Sequence, residues 1–129
     1  MSVTLDTNVY VSALNFGGRA SRLLNMAEAG SLVIDISDHI EKELTRVLRE
    51  DFHWDGYRLH FMVGRLRRLT RRAIPTMTIA VVDDPDDDRI IECAIAAGSE
   101  HLLTNDKALL RIGSYAGISI IKPDEFLAR

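Results

Sequence analysis

Three carboxylates lie beside short apolar runs, and they are the side chains of this chain best placed to do chemistry. Asp6 and Asp106 each lie just past such a run, and Glu43 borders the apolar face of a helical pattern that follows another. The carboxyl ends of parallel strands share one edge of a sheet, where ligands bind in open α/β folds. We therefore expect these three acids to converge.

Converging carboxylates repel one another, and a fold tolerates them when a cation neutralises their charge or when one acid is protonated. Oxygen ligands without cysteine or histidine at matching positions favour Mg²⁺ or Mn²⁺ over zinc. Cys93 has no partner cysteine, and we interpret His39, His53, His60 and His101 as structural because they share no ligand spacing. A divalent ion held by carboxylates, water and phosphate oxygens is typical of phosphodiester hydrolysis.

The elements that position these acids alternate between β and α patterns. Strands are predicted at residues 2–5, 32–36, 101–103 and 118–121, with an extended segment at 78–82. Helical spacing predicts helices between them, including a basic helix over 57–74, a helix that begins at Asp88 and ends at Gly98, and a short helix at 106–110. This order indicates an α/β fold with a mainly parallel sheet.

Size and apolar content indicate one compact domain. The chain has 129 residues, of which 47% are hydrophobic, so we expect a single domain over residues 1–129. No apolar stretch approaches the roughly 20 residues needed to cross a bilayer, and the N-terminus enters an apolar run without a basic leader. Together with the lone Cys93, these features predict a cytoplasmic protein without membrane insertion.

Four motifs occur in an order typical of one family. They are Leu5-Asp6-Thr7-Asn8-Val9, the segment from Ser37 to Leu48, the acidic segment from Asp83 to Asp88 with the small apolar helix behind it, and Leu103-Thr104-Asn105-Asp106. In this order they resemble the PIN-domain family, and more closely its branch of VapC-like ribonucleases, the toxins of toxin-antitoxin pairs. The resemblance covers nearly the whole chain. Lys42 departs from it, because many relatives carry another acid there.

The resemblance implies a PIN-like three-layer α/β/α fold and a set of four metal ligands that are also the catalytic acids. These are Asp6, Glu43, Asp88 and Asp106. Asp88 is chosen from the acidic segment because its last aspartate falls where the ligand belongs, and Asp84 is the reserve. Thr7, Asn8 and Thr104 either hold these acids through hydrogen bonds or satisfy local backbone groups.

The resemblance further implies an endoribonuclease that depends on Mg²⁺ or Mn²⁺, a small antitoxin protein as partner, and a homodimer. The RNA substrate would contact positively charged side chains. These are concentrated between Tyr57 and Val82, although the formal net charge of the chain is −3. An ordinary solvated helix face is the alternative interpretation of this stretch. The candidate RNA contacts are Arg65, Arg68 and Arg72 from this stretch, with Arg19 and Arg22 near the first glycine pair.

Two other functions fit parts of the sequence. Lys122-Pro123 after the last strand resembles the closing pair of receiver-type phospho-acceptor domains. Those domains need an acidic pair after the first strand, whereas here Thr7 and Asn8 follow Asp6. The second alternative is a catalytically silent PIN module that binds RNA or a protein through its arginines.

Overall fold

Short apolar runs form the strands of a central sheet in the computed structural model, which describes all 129 residues. The strands are β1 (Ser2–Leu5), β2 (Val33–Ile36), β3 (Thr70–Arg72), β4 (His101–Leu103), β5 (Ser114–Tyr115) and β6 (Ile118–Ile121). The helices are α1 (Thr7–Val11), α2 (Ser21–Glu28), α3 (Asp38–Glu50), α4 (Gly56–Leu69), α5 (Pro85–Ala97), α6 (Lys107–Ile112) and α7 (Pro123–Leu127). A π-helical turn (Ser12–Phe16) and a 3₁₀ turn (Gly18–Ala20) join α1 to α2.

The sheet has the order β3-β2-β1-β4-β6-β5, and only β5 is antiparallel to its neighbour. The chain travels from β1 through β2 to β3 by way of α1 to α4, then returns across the sheet to β4 by way of α5. Connections between parallel strands are right-handed. Helices that connect strands in one direction along the sheet therefore cover one face of the sheet, and helices that connect strands in the opposite direction cover the other face. The fold is therefore the expected three-layer α/β/α arrangement.

Burial in the strands agrees with a sheet covered on both faces. Val3 and Leu5 point to one face of β1 and Thr4 to the other, and all three are fully buried. Helix α5 packs against β1, β2 and β4 on the face of Thr4, whose hydroxyl oxygen lies 2.8 Å from that of Ser99. Thirty buried apolar residues form one core cluster. None of the helices is both long and apolar enough to cross a membrane.

The basic helix is shorter than predicted. Helix α4 ends at Leu69, and residues 70–72 form the edge strand β3, parallel to β2. Ion pairs across this edge favour the strand, since Arg71 binds the buried Asp35 of β2 at 2.7 Å. Helical spacing read from the sequence alone contains no information about such a partner.

Helix α5 begins at Pro85, three residues before the predicted start. Asp84 caps it by accepting a hydrogen bond from the backbone N–H of Asp86 at 2.9 Å. Proline suits the first helical position because its fixed φ is helical and no backbone N–H is needed there. Gly98 ends the helix in the left-handed conformation at φ 66°, as predicted. The earlier start decides which aspartates face the candidate site.

The segment at 78–82, which is predicted to be extended, forms no strand. Side chains of α5 satisfy its backbone instead: Glu92 accepts a hydrogen bond from the N–H of Ile79 at 2.8 Å, and Arg89 donates one to the Ile79 carbonyl at 2.9 Å. This segment leads directly into the acidic turn before α5, so its attachment to the helix fixes the position of that turn.

Candidate active site

Six carboxylates line one cavity of about 150 Å³ at the carboxyl edge of the sheet. They are Asp6, Glu43, Asp84, Asp86, Asp87 and Asp106, and we call this cavity the acidic pocket. The rest of its lining comes from Thr7, Asn8, His39, Val47 and Ile90. The acids lie at or near the N-termini of α1, α3, α5 and α6. Helices α1, α3 and α6 follow strands whose carboxyl ends meet at this edge, and α5 follows the segment at 73–84.

Thr104 links the two acids that follow neighbouring strands. Its hydroxyl donates a hydrogen bond to Asp6 at 2.6 Å and accepts one from the backbone N–H of Asp106 at 2.9 Å. Asp106 also caps α6 by accepting from the N–H of Leu109 at 3.0 Å. Asp6 is almost completely buried, and its backbone N–H donates to the Leu103 carbonyl of β4. The two carboxylates are thereby held in a fixed relation to the sheet.

Burial raises the pKa of the Asp6 carboxyl, and the negative charge of Asp106 raises it further. Hydrogen bonds from Thr104 and from the backbone N–H groups of Thr7 and Asn8 act in the opposite direction and lower this pKa. Thr7 and Asn8 line the pocket, but their side chains form no hydrogen bond to an acid. Of the three predicted supporting residues, only Thr104 contacts a candidate ligand through its side chain.

Asp87 experiences the accumulated charge of the pocket most strongly. Burial raises the pKa of its carboxyl to about 7, with contributions from the charges of Asp106, Asp6, Asp84 and Asp86 in that order. No cationic side chain forms an ion pair with Asp87. The pocket therefore has more negative charge than its own side chains neutralise, which is a condition that a bound cation would relieve.

Glu43 reaches the pocket from the second turn of α3 and is held by a neighbouring arginine. Arg46 donates a hydrogen bond to Glu43 at 2.7 Å and another to Glu50 at 3.1 Å. Both bonds raise the pKa of the Arg46 guanidinium. Because the guanidinium is exposed, this pairing is screened by solvent and leaves Glu43 able to exchange partners.

Asp88 does not lie with the other predicted acids, which corrects the sequence interpretation. Its carboxylate is buried away from the acidic pocket and accepts hydrogen bonds from the backbone N–H groups of Val81 and Val82, at 2.9 and 3.1 Å. Adjacent helical residues point in directions about 100° apart, so the neighbouring Asp87 faces the pocket instead. Counting from Pro85 as the first helical residue could have indicated this difference.

The structure thus brings together Asp6, Glu43 and Asp106, as well as the reserve residue Asp84, but not Asp88. The sequence interpretation missed Asp86 and Asp87 as pocket residues. It also missed His39, which was interpreted as structural.

His39 stands at the rim of the acidic pocket, on the first turn of α3. Its Nε2 atom lies 3.2 Å from a carboxylate oxygen of Asp86. The contact lacks hydrogen-bond alignment, so this buried nitrogen has no hydrogen-bond partner. Because the histidines share no ligand spacing in the sequence, only the packing of α3 against α5 reveals this contact between His39 and Asp86.

The donor set of the pocket suits a hard divalent cation, since it consists mainly of carboxylates, with one imidazole from His39 and no thiolate. Burial and, after it, the charges of four neighbouring aspartates raise the pKa of Asp87, and a bound cation would favour its ionised form. As they stand, however, no three of the acidic, histidine or cysteine side chains form a ready metal-binding group. Holding an ion would require the pocket carboxylates to draw together.

Most of the predicted RNA-contacting arginines are paired with acids. Arg72 binds Asp38 at 3.2 Å and Glu41 at 3.0 Å. Arg19 lies 3.9 Å from Asp124, and Arg65 lies 3.9 Å from Glu28. Arg22 and Arg68 form no ion pair, and none of the five lines the acidic pocket.

The fold and the pocket together define a class of protein: a parallel α/β domain with a carboxylate-lined pocket, suited to a divalent cation, at the ends of its strands. The chain belongs to the PIN-domain family, since the sequence model of the PIN domain matches residues 2–108. This match confirms the resemblance carried by the four motifs. PIN domains are a nuclease family whose members generally use divalent metal ions, and the receiver interpretation loses its support.

A solved structure shares this fold. It is the crystal structure of VapBC2 from Rickettsia felis bound to a DNA fragment from their promoter, with a TM-score of 0.62 and 18% sequence identity. The match covers 93% of this chain and 97% of that chain. At this level of identity the likeness concerns the fold alone. A search of curated proteins found no significant match.

Proposed function

We propose that this protein is an endoribonuclease that hydrolyses RNA phosphodiester bonds with Mg²⁺ or Mn²⁺. The observation that carries the proposal is the acidic pocket, in which six carboxylates from neighbouring helix N-termini share one cavity and no cation of the chain neutralises Asp87. A site of this composition is poorly suited to binding phosphate by itself. It becomes suited to phosphate once a divalent ion occupies it.

Asp6, Asp87 and Asp106 would hold the ion, with Glu43 joining them from α3. When bound, the ion supplies an activated water and neutralises charge on the scissile phosphate. Thr104 orients the Asp6 carboxylate by its 2.6 Å hydrogen bond. Without an ion, the raised pKa of Asp87 keeps a proton on part of its population near neutral pH.

The test is cleavage of mixed single-stranded RNAs with Mg²⁺, with Mn²⁺ or with chelator. We expect wild type to cleave only with metal, and Asp6→Asn to be slower by more than the roughly 10- to 100-fold that loss of an outer hydrogen-bonding partner costs a metal site. Asp83→Asn is the matched control, because Asp83 is an exposed acid of the same segment outside the pocket. Cleavage by Asp6→Asn at the wild-type rate would refute the mechanism.

A catalytically silent RNA-binding module is the second candidate. It is favoured by the absence of a ready three-ligand group and by the pairing of Glu43 with Arg46. RNA binding without cleavage under any metal condition would support it. Two results together would exclude it: wild type binds Mn²⁺ and cleaves RNA, and Asp6→Asn loses both the binding and the cleavage.

We further propose a cytoplasmic toxin-antitoxin role, with a small antitoxin protein as partner. Large aromatic side chains are exposed on the surface: Tyr57 and Phe61, whose ring centroids lie 5.8 Å apart on α4, and Phe16. Exposed apolar groups of this size are typical of interaction sites. Because the exposed Arg58 lies beside Tyr57 on α4 and forms no ion pair, a segment with apolar and acidic side chains would be complementary.

Co-expression with an antitoxin candidate tests this partner. We expect Tyr57→Ser with Phe61→Ser to weaken co-purification without changing cleavage of RNA. Unchanged co-purification would place the partner elsewhere. A homodimer is part of the same proposal, and light scattering of the purified chain would show a single monomeric mass if it is wrong.

A further inference from the structure

A second charged cavity lies beside the acidic pocket, and its charge is opposite. It measures about 390 Å³ and is lined by Asn105, Lys107, Leu110, Arg111 and Lys122. We call it the basic cavity. Its three cations are exposed, and none of them forms an ion pair or a side-chain hydrogen bond within the chain.

The topology of the sheet places this cavity next to the candidate active site. Lys122 directly follows β6, which pairs in parallel with β4, and Asp106 follows β4. Both residues therefore lie at the same carboxyl edge of the sheet, one strand apart. Lys107 immediately follows Asp106 and lies one helical turn before Arg111, so α6 presents both cations on one face.

The lack of partners separates these cations from most others in the chain. Arg67, Arg71 and Arg72 already bind acids of β2 and α3. A cation that pairs with an acid of the protein attracts a polyanion only weakly, because the acid already neutralises its charge. An unpaired and exposed cation keeps its full interaction with phosphate.

We propose that Lys107, Arg111 and Lys122 form a binding site for backbone phosphates of single-stranded RNA that flank the phosphodiester in the acidic pocket. This proposal rests on the proposed ribonuclease function. Without its ion the acidic pocket repels the RNA backbone, and a bound ion would neutralise charge only at the scissile phosphate, so attraction for the flanking phosphates must come from adjacent groups. Lysine and arginine supply it without reading sequence, and Arg111 offers a guanidinium that can bind two phosphate oxygens at once.

The experiment measures binding of a fluorescent single-stranded RNA by anisotropy over a series of salt concentrations, with chelator present to prevent cleavage. The test variant is K107Q/R111Q/K122Q. The control is K42Q/R49Q/R129Q, which removes three exposed cations that form no ion pair, lie outside both cavities and are not among the candidate RNA contacts. The two variants have the same net charge, so a difference between them reports on position.

For the test variant we expect the slope of log affinity against log salt to become shallower by about 2, since each phosphate contact on a single strand contributes about 0.7. Affinity should fall at least tenfold near 0.1 M salt, where counterion release is strong. The control should stay close to wild type. Mn²⁺ affinity should not fall in either variant, because no proposed metal ligand is changed.

Equal losses in the test and control variants would overturn the proposal, and so would an unchanged slope in the test variant. Polyglutamate serves as a comparison ligand. The proposal is also wrong if these three residues are needed for binding of polyglutamate but not for binding of RNA. The basic cavity would then bind an acidic protein segment.

Failure of the proposed function gives a different result. In that case wild type and Asp6→Asn show the same lack of metal-dependent cleavage, whatever the RNA affinity. Phosphate binding at the basic cavity is measured without metal and without turnover, so the failure of this proposal and the failure of the proposed function give different results.

Discussion

Two carboxylates, Asp35 and Asp87, are both buried, yet their surroundings differ. Asp35 lies in the sheet and accepts hydrogen bonds from Arg71 at 2.7 Å and from Ser99 at 2.6 Å. Asp87 lies in the acidic pocket among other acids, without a cationic partner, and its pKa is raised to about 7. The comparison shows that acids with complete partners stabilise the fold, whereas acids without partners mark a place for a ligand.

The first prediction has the largest expected effect and separates the two carboxylates by function. Asp87→Asn should lower metal-dependent RNA cleavage by at least about 100-fold, or roughly 2.7 kcal/mol of activation free energy. Asp35→Asn should lower stability and leave Mn²⁺ affinity unchanged, because Asp35 does not line the pocket. Cleavage rates and Mn²⁺ titration check both expectations, and loss of Mn²⁺ affinity in a folded Asp35→Asn would invalidate the distinction.

The second prediction concerns the partner of Asp35. Arg71→Met should lower the free energy of unfolding by about 2 to 3 kcal/mol, somewhat less than the full cost of isolating a buried charge because Arg71 is half exposed. Arg67→Met is the matched control, since its acid, Glu41, keeps Arg72 as a second partner, and the exposed pair should contribute less than about 1 kcal/mol. Urea unfolding measures both, and equal losses would contradict the argument from burial.

The third prediction tests whether Asp88 supports the acidic turn or binds metal. Asp88→Ala leaves the N–H groups of Val81 and Val82 without an acceptor and should lower the free energy of unfolding by about 1 to 2 kcal/mol. Asp88→Asn keeps an oxygen acceptor and should retain most stability and cleavage. If Asp88→Asn instead loses Mn²⁺ binding as fully as Asp87→Asn, Asp88 is a ligand after all.

The fourth prediction uses the raised pKa of Asp87. The folded protein binds this proton more tightly than the unfolded chain, so ionisation of Asp87 destabilises the metal-free fold as the pH rises from about 4 to about 7. With chelator present, Asp87→Asn should match wild type in free energy of unfolding near pH 4 and exceed it near pH 8. Urea unfolding against pH checks this, and a difference that does not vary with pH would refute it.

Much of the fold could be predicted because its signals are local. The strands at 2–5, 101–103 and 118–121 and the end of α5 at Gly98 were correct, since apolar runs and a left-handed glycine act within a few residues. Edge strand β3 was missed. Its conformation depends on pairing with β2, more than thirty residues earlier in the chain.

The site was predicted in part for the same reason. Asp6 and Asp106 follow strands directly, so their convergence follows from strand order at one edge of a sheet. The choice between Asp87 and Asp88 required the start of α5 to within one residue, because one position on a helix turns a side chain by about 100°. The basic cavity was not predicted at all.

The sequence by itself determined the alternation of strands and helices, the family and the kinds of acids available for the site. Tertiary structure alone decided which charges have partners: Arg71 reaches Asp35 and Arg72 reaches Glu41, while Asp87, Lys107 and Lys122 reach no opposite charge. Electrostatic compensation depends on distances of a few ångströms between residues far apart in the chain, and local patterns do not contain those distances.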